Sequence, residues 1–156
     1  MDNMKTNTLE IKTALQISKP VHEIFEAIVD PTKMTNYFIS KSNGRMEENK
    51  TLIWEFPEFD TTFPVQVIRI EKDKSISFSW EGSDKEELIV DIMLEAKNNI
   101  STVVTITEKS MPINDEGINW LKNNTAGWTN FLDCLKAYLE FGINLRKGGF
   151  DFLRKL

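Results

Sequence analysis

The chain has 156 residues, 40 % of them hydrophobic, with 19 Lys and Arg against 24 Asp and Glu and a formal net charge of −5. That length suits one domain with a buried core, and the acidic balance excludes an extended nucleic-acid footprint, which needs clustered cations to replace phosphate counterions. A single cysteine, Cys134, excludes an intramolecular disulfide, and no stretch approaches the roughly 20 apolar residues that span a bilayer. The polar opening "MDNMKTNTLE" lacks the apolar core of a signal peptide, and a lone thiol suits a reducing compartment. The expectation is a soluble cytoplasmic domain.

The first element is a strand, "LEIKTALQI", in which Leu9, Ile11, Thr13, Leu15 and Ile17 share one face with period two. Ser18 and Pro20 then open a helix, "PVHEIFEAIV", with Val21, Ile24, Phe25 and Ile28 at helical spacing. Asp30-Pro31 stops it and starts a second short helix, "PTKMTNYF", with Asp30 as its cap. From Ser40 to about Ser110 the pattern is that of strands: Leu52, Trp54 and Phe56 alternate, as do Ile76, Phe78 and Trp80. "ELIVDIMLEA" and "ISTVVTITEK" flank the turn "KNN" as a hairpin. In "TTFPVQVIRI" the phase slips after Val67, which calls for a bulge or for burial on both faces.

After Pro112 the spacing predicts a helix from about Asn114 to Phe141, with Gly142 at its C-cap. At about 100° per residue, Trp120, Leu121, Gly127, Trp128, Phe131, Leu132, Cys134, Leu135, Tyr138 and Leu139 fall in one wide apolar arc. Lys122, Thr129, Asp133, Lys136 and Glu140 fall opposite. Gly127 lies inside the apolar arc, where its missing side chain leaves room on the buried face. Asn124 lies near the centre of the same arc. Either the helix starts irregularly and Asn124 points outward, or Trp120, Asn124, Gly127 and Phe131 line a cavity in which the amide meets a polar group, water or a ligand.

This order of elements resembles the helix-grip fold of the START-like (SRPBCC) superfamily. "ISKPVHEIFEAIVDPTKMTNYF" is similar to the family opening, a proline-started helix running into an Asp-Pro turn and a second helix that ends in an aromatic. "GWTNFLDCLKAYLEFG" resembles the C-terminal helix of the subgroup related to the activator of heat-shock-protein-90 ATPase. The resemblance implies an α+β fold: a curved antiparallel sheet wrapped around a long C-terminal helix, with two short helices between the first two strands. It divides the chain into a flexible segment 1–8, a START-like domain 9–142 and a basic C-terminal extension 143–156. In the extension two adjacent glycines form a hinge, and the segment either packs back on the domain or pairs with a second copy. Members of the superfamily include binders of lipids and other hydrophobic molecules, aromatic cyclases and co-chaperone domains, and the fold alone does not choose among them.

The sequence offers little catalytic chemistry. His22 faces away from the apolar stripe of its helix, and Cys134 sits at the edge of the apolar arc, so neither a Cys-His pair nor a zinc set is indicated. No phosphate-binding glycine loop is present. Glu47-Glu48 and Glu86-Glu87 read as solvated turn charge, and Asp91 and Glu95 as residues of the outer sheet face. Arg69 reaches the cavity end if the early phase of its strand holds and solvent if the phase slips. The aromatics Trp54, Phe56, Phe63, Phe78 and Trp80 either line a cavity or fill it as core. The expectation is a non-catalytic module holding a small hydrophobic molecule, lipid or aromatic, with no cofactor and no metal. Its polar contacts come from Tyr37, Arg69 and Asn124. A chaperone-associated interaction domain, as monomer or homodimer, is the alternative, and a cyclase-like enzyme the third reading.

Overall fold

The computed structural model describes residues 7–82 and 86–154. The expected flexible N-terminal segment falls mostly on residues 1–6, which lie outside the described residues, as do Lys155 and Leu156 of the extension. β1 (Thr8–Ile17) keeps its period-two pattern: Ile11 and Ile17 are buried, Leu9, Thr13 and Leu15 half-buried, and the residues between them exposed. Pro20 caps α1 (Val21–Val29), which buries Ile24, Phe25 and Ile28. Asp30 caps α2 (Pro31–Met34), accepting from the Thr32 backbone N–H at 2.9 Å and the Thr32 hydroxyl at 2.8 Å. The second helix is shorter than its sequence predicts. It stops at Met34, and residues 35–38 continue as turns that carry Tyr37 into the core.

The strands β2 (Lys41–Ser42), β3 (Thr51–Glu55), β4 (Thr62–Glu71), β5 (Ser75–Glu81), β6 (Glu87–Asn98) and β7 (Ser101–Pro112) join β1 in one seven-stranded sheet, in the order β1-β7-β6-β5-β4-β3-β2. Every pairing is antiparallel. The phase slip in β4 is a bulge: the register shifts between Val67 and Arg69, and Ile68 is 41 % exposed, so the strand is not buried on both faces. The β6–β7 turn is shorter than "KNN" implies. β6 runs on through Lys97 and Asn98, leaving Asn99 and Ile100 as the turn, with the Asn98 side chain accepting from the Ile100 N–H at 2.9 Å.

α3 (Asp115–Phe141) lies across the concave side of this sheet, closest to β1 and β7. Its N-cap is Asn114, whose side chain accepts from the Gly117 N–H, and its C-cap is Gly142 at φ 66°, a left-handed conformation that glycine adopts without steric cost. At the start of the helix the backbone comes so close to the end of β7 that a Cβ on Gly117 would lie 1.8 Å from the Pro112 carbonyl oxygen. Polar contacts hold the helix along β1: Thr129 to Thr13 at 3.1 Å, Lys136 Nζ to the Gln16 carbonyl at 2.9 Å, and Glu140 to the Ser18 N–H at 2.6 Å. Because the helix sits over one edge of a curved sheet, a space remains beneath it toward β3, β4 and β5.

Candidate functional site: a buried carboxylate beside an aromatic cavity

Along β7 the residues Thr102, Val104, Ile106 and Glu108 share the concave face, and all four are buried with 0 % exposure. Glu108 stands between Ile11 of β1 and Val90 of β6 in the sheet register. A carboxylate in such surroundings must have hydrogen-bond donors, and it has three. Oε1 accepts from the Trp128 indole Nε1 at 2.9 Å and from Asn124 Nδ2 at 3.0 Å, and Oε2 accepts from the Trp80 indole Nε1 at 2.8 Å. Two donors come from α3 and one from β5, so Glu108 ties the helix to two separate strands. The spacing of the helix makes this geometry: Trp120, Asn124 and Trp128 follow at intervals of four and project from one stripe. Asn124 therefore points inward, and its partner is the carboxylate.

Next to this network lies a cavity of about 630 Å3. Its sheet side is built by Phe56, Phe63, Trp80 and Leu88, its helix side by Trp120, Asn124, Gly127 and Trp128. Phe38 closes the floor, packing edge-on against Phe56 at 5.1 Å and Phe131 at 4.8 Å. The Trp80 and Trp128 rings lie 5.7 Å apart. The indole of Trp120 differs from its two neighbours: it is 6 % exposed, and its Nε1 has no acceptor among the described residues.

One rim of the cavity belongs to the C-terminal extension. Arg146 binds Glu58 with two hydrogen bonds, at 3.1 and 2.8 Å, and both side chains are nearly buried, 11 % and 5 % exposed. The guanidinium also lies 4.6 Å from the Phe150 ring centroid and 5.5 Å from that of Phe56. Farther along, Arg154 Nε donates to the Pro57 carbonyl at 3.0 Å. Of the two arrangements open to the extension, the structure has it packed back on the domain.

The residues singled out from the sequence separate into two groups. Phe56, Phe63, Trp80, Trp120, Asn124 and Gly127 line the cavity, while Trp54, Phe78 and Phe131 are core residues behind its wall. Tyr37 and Arg69 correct the expectation of polar contacts there. The Tyr37 hydroxyl is buried and donates to the Ala27 carbonyl at 2.9 Å, and burial pushes its pKa well up. Arg69, beyond the bulge, is exposed and pairs with Glu71 at 2.7 Å. Gly127 also differs from expectation. It is exposed at the open side of the cavity, and a Cβ there would meet no atom within 4 Å. His22 lies on the surface, 3.0 Å from Asp73, and Cys134 is buried with its thiol pKa raised by desolvation. Among the described residues no group of three His, Cys, Asp or Glu side chains is placed to hold a metal ion. Sequence reasoning missed Glu108, although its phase with Val104 and Ile106 was a signal that could have found it, and singled out Asn124 as an amide in need of a partner. Arg146 and Glu58, far apart in the chain, had no such signal.

The sequence matches the model of the family described as activator of Hsp90 ATPase homolog 1-like protein over residues 18–140. The chain belongs to this family. Its fold is similar to that of the Staphylococcus saprophyticus protein SSP2350, at 34 % identity and a TM-score of 0.77, over 88 % of this chain and 96 % of the other. It also resembles the Aha1 dimer from Colwellia psychrerythraea (18 % identity, TM-score 0.73, 86 % and 98 % covered). A third similar structure is DynU16, of the dynemicin biosynthetic locus (24 % identity, TM-score 0.75), where the match covers 86 % of this chain and 48 % of that one. No curated protein matches the sequence. The seven-stranded sheet gripping α3 is the START-like helix-grip fold of this family, and no helix among the described residues is long and apolar enough to cross a membrane.

Proposed function

We propose that this member of the family is a non-catalytic binding module that holds a small hydrophobic molecule in the cavity between the sheet and α3. The observation that carries the reading is the cavity itself: 630 Å3, walled by indole and phenyl rings, with the Asn124 side chain among them. Small-molecule sites have this composition and fall in the range of about 300–1,000 Å3. The histidine, the cysteine and Glu108, which could start acid–base or nucleophilic chemistry, are elsewhere or occupied. The one histidine is on the outer surface, Cys134 is not on the lining, and both oxygens of Glu108 accept indole or amide N–H groups. The test is native mass spectrometry of freshly purified protein, followed by thermal unfolding across a panel of lipids and aromatic compounds. A retained mass or a raised Tm supports the reading; no retained mass and an unchanged Tm across the panel overturn it.

The family description favours a second reading, a domain that assists an Hsp90-type chaperone. Stimulation of the chaperone's ATPase by the purified protein supports it, and its absence removes it. Whether the chain works as a monomer or as a homodimer, the state described for the Colwellia relative, is read from its sedimentation.

A further inference from the structure

Two walls of the cavity are regular secondary structure, the sheet and α3, and a third is not. The third is made by Arg146 and Phe150 of the extension, together with Glu58 and Phe59 of the loop 56–61 between β3 and β4. α3 ends at Phe141, and beyond it the described residues form coil, turns and a single 3-10 turn, Asp151–Leu153. Gly142 and Gly148, on either side of Arg146, have positive φ angles of 66° and 74°, a region that glycine enters without steric cost.

The contacts that seat this segment converge on one residue. Arg146 donates two hydrogen bonds to Glu58, and its guanidinium lies 5.8 and 5.5 Å from the ring centroids of Phe38 and Phe56 on the body of the domain. The Phe150 ring lies against the same guanidinium at 4.6 Å. Arg154 adds its one hydrogen bond to the Pro57 carbonyl. Apolar burial adds little, since Phe150 is half-buried while Ile143, Leu145, Phe152 and Leu153 are exposed. The attraction within a nearly buried ion pair is offset by the water that both groups gave up, and release of the segment returns that water to Arg146 and Glu58 together. A segment seated in this way opens locally at a lower cost than the sheet or α3.

We propose that residues 143–154 are a strap that closes over the bound ligand, that Arg146 and Glu58 are its latch, and that this pair governs how firmly the ligand is held. With the strap seated, Arg146 and Phe150 complete the lining; with it released, the ligand loses that wall and Phe38 and Phe56 lose their cover. A ligand that binds the closed form keeps the latch shut, and whatever opens the latch weakens the ligand's hold. Because the cavity is already open beside Gly127, the strap acts on retention rather than on access. The inference rests on the binding function proposed above.

Nile red, an uncharged probe that fluoresces in apolar surroundings, tests this on the full chain together with trypsin. Trypsin cuts after Arg146 only when the guanidinium has left Glu58 for the protease. The initial rate of that cut, which leaves residues 1–146 as an intact fragment, therefore follows the open population. With free Nile red at about ten times its Kd, the cut slows about tenfold, while a free arginine peptide is cut at an unchanged rate. Arg146→Glu sets like charge against Glu58; with the strap seated in fewer than about a tenth of the molecules, Nile red binds at least about tenfold more weakly. Adding Glu58→Arg rebuilds the pair in reverse and brings the affinity back to within about threefold of the wild type, a rescue not expected if Arg146 merely touches the ligand. The tryptic measurement uses the wild-type protein and is independent of how the variants fold. The proposal is overturned if trypsin does not cut after Arg146 in the ligand-free protein, if bound Nile red does not slow the cut, or if Arg146→Glu binds Nile red as tightly as the wild type. It is also overturned if the double variant, folded by circular dichroism, stays as weak as Arg146→Glu. Saturable Nile red binding with unaltered cleavage removes the strap and keeps the binding module. Absence of saturable binding removes both.

Discussion

Replacing Glu108 by glutamine changes no shape and removes one acceptor. The amide has one oxygen. Turned toward Trp128 and Asn124 it keeps those two hydrogen bonds, but its NH2 group then faces the Trp80 indole N–H, which had an acceptor at 2.8 Å. Turned the other way, it keeps Trp80 and loses the two donors of the helix. The first orientation leaves an unmade donor, at about 1–3 kcal/mol, and converts two charge-assisted bonds into neutral ones, at about 1 kcal/mol each. Removal of a buried charge offsets part of this. The expected net loss is about 2–4 kcal/mol, or about 5–15 °C in Tm for a domain of this size. Urea unfolding followed by tryptophan emission measures it directly, since Trp80 and Trp128 are the groups disturbed. Glu108→Leu, which strands all three donors, should lose at least as much. If Glu108→Gln is as stable as the wild type, the carboxylate does not hold the helix to the sheet.

Gly127→Ala should raise stability by about 0.5–1 kcal/mol, because the helix interior gains an alanine and the new Cβ meets nothing; a loss in denaturant unfolding would show that the position is packed. Arg146→Ala leaves Glu58 buried without its partner, which costs about 3–5 kcal/mol where the pair stays closed and less if the extension swings out. Increased cleavage after Phe141 in limited proteolysis identifies the second outcome. The pH dependence has a stated sign. A hydrogen bond from Arg45 holds the Glu26 pKa below its ordinary 4.5, and one from the Thr32 hydroxyl holds Asp30 below 3.8. A lowered folded-state pKa stabilises above the unfolded value, and the contribution is lost as pH falls through the folded one. Glu26→Gln should therefore cost at most about 1 kcal/mol at pH 7, since Arg45 is 40 % exposed and solvent screens the pair. The difference should shrink as the pH falls below 4.5 and close once it has passed through the lowered folded-state value, as chemical unfolding over that range will show.

Much of this protein was settled by interactions a few residues long. The alternation of β1, the Asp30-Pro31 junction, the Asn114 and Gly142 caps of α3 and the slip in β4 are each readable because the forces behind them act between neighbours or across one turn. Their order was enough to identify the helix-grip fold. Burial of particular aromatics was half legible: period two put Trp54, Phe78 and Trp80 on one face, but only the position of α3 over β1 and β7 separated cavity wall from core. The same short-range reasoning failed for Tyr37, because a hydroxyl in the core goes to the nearest free carbonyl, here that of Ala27, and sequence spacing does not reveal which one that is.

Partner choice was decided by the tertiary structure. Asn124 and Trp128 meet Glu108 from 16 and 20 residues away, Trp80 from 28, and Arg146 meets Glu58 across 88. Those meetings depend on strand register and on the rotation of one helix about its axis. The sequence by itself placed an asparagine in an apolar helical arc, whereas Glu108, though in phase with Val104 and Ile106, was recognised only once the sheet was in place. Joining them required the helix to lie on the sheet, since neither desolvated group has a suitable partner within its own element.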